Sequence, residues 1–363
     1  MTTDLASRPA PRHHNAFDAL RIIAAAAVLY SHSFALYGLP EPVPLAGQTF
    51  GSIAVALFFS LSGYLVCQSW CSDPDVLRFA LRRGLRIFPG LIVVVVVTAG
   101  LIGLLITDLS ATAYLQSADL YNFIVKGMLA LGSPTLPGVF EKNPFPNATN
   151  GSLWTLRYEI IMYVALALAG RLFGRRHFQW ACPLLLCLCA LTWLLTTYVG
   201  AKNLQIPLVW HLTELYLDRI AYLGAFFFAG ASMLLYRDRV PLSPFAAIVA
   251  VGVVALVTSP TIVMCMLWLI VPYVVCTFAF RSPTWMTKAN GYDYSYGVYI
   301  YAFPIQQIFS LIGSEHHWSW FAVMAASAVV TFWAAAASWY YVEKPALSFK
   351  HLISRARSVP TTS

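Results

Sequence analysis

Ten apolar runs, each near the length needed to cross a bilayer, restrict what this chain can fold into. They lie near residues 16–37, 51–70, 87–107, 154–170, 179–199, 213–235, 243–259, 261–280, 292–313 and 318–342. A hydrocarbon core of about 30 Å takes about 20 helical residues to cross. Inside it every backbone polar group must be satisfied by the chain itself, so only helices and closed barrels can span. A barrel would show short alternating segments instead of long continuous runs. Composition agrees: 59% of residues are hydrophobic, only 10% are charged and the mean hydropathy is +0.68, against about 25% charge in ordinary soluble domains. The expected fold is an all-α integral membrane protein, a bundle of about ten transmembrane helices.

Lys and Arg in the loops set the orientation, because cytoplasmic loops carry the excess. Of the 23 basic side chains, eighteen fall on the side of the termini, among them Arg78, Arg82, Arg83, Arg86, Arg171, Arg175, Arg176, Arg237, Arg239 and Arg281. Five fall on the other: Lys126, Lys142, Arg157, Lys202 and Arg219. Both termini are therefore expected in the cytoplasm. The net charge of +8 is a topology signal, and no nucleic-acid partner is implied. The first run follows a polar segment and shows no clear cleavage site, so a retained helix is expected, not a signal peptide.

Residues 1–363 are expected to form a single membrane domain, with a cytoplasmic segment at 1–15, a long outer loop at 108–153 and a basic cytoplasmic tail at 343–363. The outer loop ends in PGVFEKNPFPNATNGS, a composition that favours a loop over a buried element. It carries two glycosylation sequons, at Asn147 and Asn150. The seven cysteines, at 67, 71, 182, 187, 189, 265 and 276, form no C-x-x-C pair and read as packing residues.

Three groups of residues could carry chemistry. In ALRIIAAAAVLYSHS, Arg21 and His32 are eleven positions apart, about three helical turns, so they share one face. Ionisable residues inside a membrane are costly and usually face a polar cavity; Arg21 could also simply snorkel to the interface. In NGSLWTLRYEIIMY, Glu159 enters the fourth run at a depth comparable with that of His32. It could orient the imidazole, or it could pair structurally with Arg157 or Arg219. The third group is RFALRRGLRIFPG, where Arg83 and Arg86 are neighbours on a helix and suit bidentate phosphate contacts. Positive-inside charge and anionic lipid headgroups account for such a cluster equally well.

Six segments, DALRIIAAAAVLYSH, ALFFSLSGYLV, RRGLRIFP, GSLWTLRYEIIMY, SYGVYIYAFPIQQ and YYVEKPA, occur in an order that resembles the acyltransferase 3 family of integral membrane O-acyltransferases. The resemblance implies transfer of an acyl group, most often acetyl from cytosolic acetyl-CoA, to a hydroxyl of a cell-envelope carbohydrate, in the bacterial inner membrane. The family's R-x10-H pair falls on Arg21 and His32, its R-x-x-R pair on Arg83 and Arg86, and its span-opening acid on Glu159. Ala302 stands where many members have histidine. The esterase-like domain fused to some relatives is not evident, so the chain is expected to act alone or to pass its product to a separate protein.

The expected chemistry follows. Arg82, Arg83 and Arg86 hold the nucleotide end of the acyl donor, and Arg21 helps guide it. His32 acts as general base and Glu159 as its orienting acid. No metal is expected. Partners are acyl-CoA, membrane lipid and a carbohydrate acceptor, whether polysaccharide, oligosaccharide or lipid-linked glycan. Tyr30, Ser31 and Ser152 are the candidates for stabilising the oxyanion. The competing class is a transporter or flippase with a relay through His32, Glu159, Glu214, Asp218 and Arg219, and His211 with Glu214 is the fallback if His32 is inert. The H-x4-D pattern at His13 and Asp18 reads as coincidence.

Overall fold

The computed structural model of the chain describes residues 16–132, 134–201, 203–206, 215–283, 286 and 293–350. Among these the structure is all helical, with two isolated bridges, Leu45 to Gln48 and Gln205 to Tyr216. The helices are α1 (Phe17–Leu36), α2 (Phe50–Ser72), α3 (Val76–Val97), α4 (Gly103–Ile106), α5 (Ala111–Gln116), α6 (Ala118–Met128), α7 (Leu156–Tyr198), α8 (Leu217–Leu235), α9 (Pro244–Leu256), α10 (Pro260–Arg281), α11 (Ser295–Glu315), α12 (Trp320–Ser338) and α13 (Lys344–Ser348). π-helical turns at Thr98–Ile102 and Trp339–Glu343 extend α3 and α12.

Among the described residues, seven helical stretches are long and apolar enough to cross a membrane. The other expected runs depart for visible reasons. Runs four and five join in α7, which is continuous except at Gly174, whose φ of 61° and ψ of 173° break it. The α9 helix has only 13 residues. In α11, Gln306, Gln307 and three tyrosines dilute the apolar character.

The described chain divides into two compact units. The first comprises Met1–Ala27, Pro42–Pro74 and Tyr158–Asp293. Within it α2 packs along α8, and α10 packs on α2, α8 and α9. The α2–α8 contact depends on two glycines: a Cβ at Gly63 would lie 1.8 Å from the Phe227 carbonyl oxygen, and one at Gly230 would lie 2.0 Å from that of Ser60. Close backbone approach of this kind is the usual basis of helix packing in lipid, where there is no hydrophobic driving force between helices.

The second unit comprises Val28–Glu41, Asp75–Arg157 and Tyr294–Ser363. Here α11 packs on α12, and α3 packs on α6. Asp75 caps α3 by accepting from the Arg78 amide, and Ser319 caps α12 through the Ala322 amide. Such caps satisfy backbone donors that the first turn leaves open.

The segment 108–153 is more buried than its loop-like composition suggests. It contains α5 and α6, followed by irregular backbone in which Leu136, Val139, Phe140, Asn143, Thr149 and Asn150 are all buried. Irregular backbone can be buried only when its polar groups find partners, and amide side chains provide them. Gln307, fully buried in α11, donates to the carbonyls of Phe145 and Ala148 at 2.9 and 2.8 Å. Asn143 donates to the Gln307 side-chain oxygen at 2.6 Å and to its backbone carbonyl at 2.9 Å. Asn150 donates to the Ile300 carbonyl at 2.9 Å. Its amide is thus engaged inside the protein, whereas Asn147 is exposed.

Candidate active site

In the first unit, Arg21 on α1 is held by two carboxylates. Its Nη1 donates to Asp18 at 3.1 Å, one helical turn away, and to Asp293 at 3.0 Å. Asp293 is itself buried, so the guanidinium balances a charge that would otherwise be costly inside the protein. Glu159, near the start of α7, accepts hydrogen bonds from the hydroxyls of Ser62 (2.9 Å) and Tyr163. The two arginines that competed for Glu159 in the sequence have other partners. Arg157 donates to the Leu131 carbonyl at 3.3 Å, and Arg219 lies 4.4 Å above the Tyr216 ring.

In the second unit, His32 is half-buried on α1, and its ring meets Phe303 of α11 edge to face at 5.1 Å. Phe303 is held in place on its other sides. Phe145 lies 6.3 Å from it, and a Cβ at Gly151 would come within 2.5 Å of its ring. One turn before His32, the Leu29 carbonyl accepts from Gln306 at 2.8 Å. Helix α11 therefore supports α1 from two directions, through an aromatic face and an amide. His32 Nδ1, Ser152 Oγ, Gln306 Oε1 and Asn143 Oδ1 are four of the buried polar atoms of this unit that have no hydrogen-bond partner among the described residues. Burying a polar atom without a partner is expensive, and native proteins rarely do it without a reason.

The arginine cluster opens α3 in the same unit. Arg83 lies 6.0 Å over the Phe79 ring, and Arg86 lies 5.6 Å over the Tyr296 ring. Arg86 also pairs with Glu343 at 3.9 Å. Glu343 closes the π turn after α12, is almost fully buried and accepts from Ser338 at 3.0 Å. Such single-turn insertions often mark functional positions.

Sequence reasoning assigns no role to Glu343 or to the Gln306–Gln307 pair. The signal was present, because an acid ends YYVEKPA and two adjacent amides interrupt an apolar run. Of the oxyanion candidates, Ser31 donates to Glu41, and Tyr30 stacks on Phe34 and Trp320; the Ser152 hydroxyl alone belongs to the unpartnered atoms. Ala302 is buried in α11. His13, His211 and Glu214 lie outside the described residues.

Comparison with known proteins adds to this geometry. The chain is 30% identical to an "O-acetyl transferase" of Shigella phage Sf6, over 91% of its own length and 95% of the relative's. It is 26% identical to "Nodulation protein 10" of Rhizobium leguminosarum bv. viciae, over 96% and 97% of the two lengths. No solved structure matches. The profile of a family described as an acyltransferase domain matches residues 14–340, nearly all of the chain, which therefore belongs to the acyltransferase 3 family.

Proposed function

We propose that the protein is a multi-pass O-acyltransferase of a bacterial inner membrane, with about ten spans and both termini in the cytoplasm. In this reading it moves an acyl group, most simply acetyl, from cytosolic acyl-CoA to a hydroxyl of an exported or cell-surface carbohydrate. Family membership and the phage relative's name support the reaction. One observation carries the acceptor class: His32, Ser152, Gln306 and Asn143 each keep a buried, uncharged polar atom with no partner among the described residues. All four are uncharged in the form that accepts a substrate hydroxyl. A polyhydroxylated ligand offers the donors and acceptors they lack.

The chemistry then runs as follows. His32 takes the proton of the acceptor hydroxyl, and the oxygen attacks the thioester carbonyl. The carbon–sulfur bond breaks, and the leaving thiolate receives the proton from the imidazolium. A general base contributes about 10²- to 10⁴-fold. The Ser152 hydroxyl, the one of the three candidates without a hydrogen-bond partner among the described residues, donates to the tetrahedral oxygen. Arg82, Arg83 and Arg86 hold the donor's phosphates, with Glu343 orienting Arg86. Arg21, its charge matched by Asp18 and Asp293, serves as a fixed guide for the donor arm and not as an electrostatic attractor. The depth match read from the sequence gives Glu159 the task of stabilising charge on the imidazole, and Ser62 with Tyr163 holds its carboxylate.

The test is a thiol assay on the purified protein. With acetyl-CoA, free coenzyme A thiol should appear only when a carbohydrate acceptor is added, and Glu159→Gln should slow its release about tenfold, the worth of about 1.4 kcal/mol. Movement of a glycan across vesicles without thiol release would place the protein among transporters instead.

A further inference from the structure

A second group of arginines, in the turn after α8 and at the end of α10, has surroundings unlike those of Arg21. Helix α8 ends at Leu235, and the turn that follows is fastened to α10 by one side chain. The Tyr273 hydroxyl donates to the Pro241 carbonyl at 3.0 Å and accepts from the Ser243 amide at 3.0 Å. Ser243 in turn caps α9 by accepting from the Ala246 amide, with Pro244 pre-set for the first helical turn. The turn is thereby held against the last turn of α10. The two enclose an open cavity of about 410 Å³, lined by Arg237, Asp238, Arg239, Leu242, Phe280 and Arg281 among others.

Three guanidinium groups share this cavity with one carboxylate. Asp238, 74% exposed, stands 3.9 Å from Arg237 Nε, a loose and largely solvated pair. Arg237 otherwise reaches the neutral Tyr64 hydroxyl, and Arg239 lies over the Tyr236 ring at 5.5 Å. Arg281 makes no hydrogen bond or ion pair among the described residues. Its position in the last turn of α10 suits the helix dipole, which accounts for one cation but not for three. Arginine forks match the oxygens of a phosphoryl group in bidentate fashion. Beside them Leu242 and the partly exposed Phe280 form an apolar wall, suited to a ligand that continues from its phosphate into an apolar or aromatic body.

We propose that Arg237, Arg239 and Arg281 form a binding site for a phosphate ester. The ester comes either from an anionic lipid headgroup or from the nucleotide end of a soluble coenzyme. The site stands on its own geometry and does not depend on the acyl-transfer reading.

The full-length protein in nanodiscs of phosphatidylcholine provides the test. One arm adds phosphatidylglycerol and counts retained lipid by native mass spectrometry; the other titrates coenzyme A by calorimetry. Arg239→Gln/Arg281→Gln should weaken one of the two at least tenfold. The charge-matched control Arg171→Gln/Arg176→Gln, on exposed positions of α7, should change it less than twofold. Loss in the lipid arm identifies a headgroup site, and loss in the coenzyme arm identifies a nucleotide site. Equal weakening by cavity and control variants, or no weakening in either arm, overturns the proposal. Arg281→Gln alone removes a side chain with no hydrogen bond or ion pair among the described residues, and it decides the matter if the double variant is unstable.

Discussion

Arg21 and His32 lie on the same helix, yet their surroundings differ in kind. Asp18 and Asp293 close on Arg21 at 3.1 and 3.0 Å, so its charge is matched. His32 has an aromatic wall, Phe303, and a ring nitrogen with no partner among the described residues. A matched pair is expensive to break but needs no ligand, whereas an unmatched buried atom carries a cost that a bound hydroxyl removes. An ionisable residue inside an apolar helix is thus not by itself a sign of chemistry. Whether its hydrogen-bonding capacity is used up is the better guide.

The largest test of this contrast is a pair of substitutions. His32→Ala should lower turnover about 10²- to 10⁴-fold while acyl-CoA affinity and the melting temperature stay near wild type, because a general base acts on the transition state far more than on ground-state binding. Arg21→Ala should do the reverse for stability. It leaves Asp293 uncompensated and should cost about 1–3 kcal/mol, less than the full penalty for breaking a buried pair because Arg21 retains some solvent. A stable Arg21→Ala protein beside an unstable His32→Ala protein would break the comparison.

A smaller effect separates satisfied from unsatisfied amides in the second unit. Gln307→Leu strands the carbonyls of Phe145 and Ala148 and removes one of the two acceptors of the Asn143 amide, at about 1–3 kcal/mol for each group that stays unsatisfied. Protease cleavage between residues 134 and 150 should become faster well below the global melting point. Unchanged protection would mean that this segment is held by apolar packing alone.

The smallest effect belongs to an exposed pair. Lys142 lies 2.9 Å from Asp108, both largely in solvent, and the carboxylate raises the lysine's pKa above its usual 10.5. Any stabilisation is therefore complete below that value and fades as pH rises through the raised one. Thermal denaturation of Lys142→Ala at pH 7 should be indistinguishable from wild type, since exposed pairs contribute little.

Much of the helical layout was legible in the sequence, because apolar length and periodicity are local. The break inside α7 falls within the basic stretch that separated the fourth and fifth runs. Partners distant in the chain were not legible. Asp293 is 272 residues from Arg21, and no local pattern encodes that pairing; the same holds for Glu343 and Arg86. Burial of the segment 108–153 is not legible for a related reason. Its composition signals irregular backbone, and its burial depends on amides contributed by α11.

The break at Gly174 has a consequence for how the chain enters the bilayer during synthesis. Uninterrupted, the 43 helical residues of α7 would reach about 65 Å at 1.5 Å per residue, roughly twice the hydrocarbon thickness. Gly174 divides them into pieces of about 27 and 36 Å, each sufficient for one crossing. The two pieces leave the ribosome in succession, with Arg171, Arg175 and Arg176 beside the break, and can enter the membrane one after the other. A side chain at position 174 would strain the left-handed backbone there, so Gly174→Val should first appear as a defect in insertion, seen as protease-accessible nascent chain, before any loss of catalysis is measured.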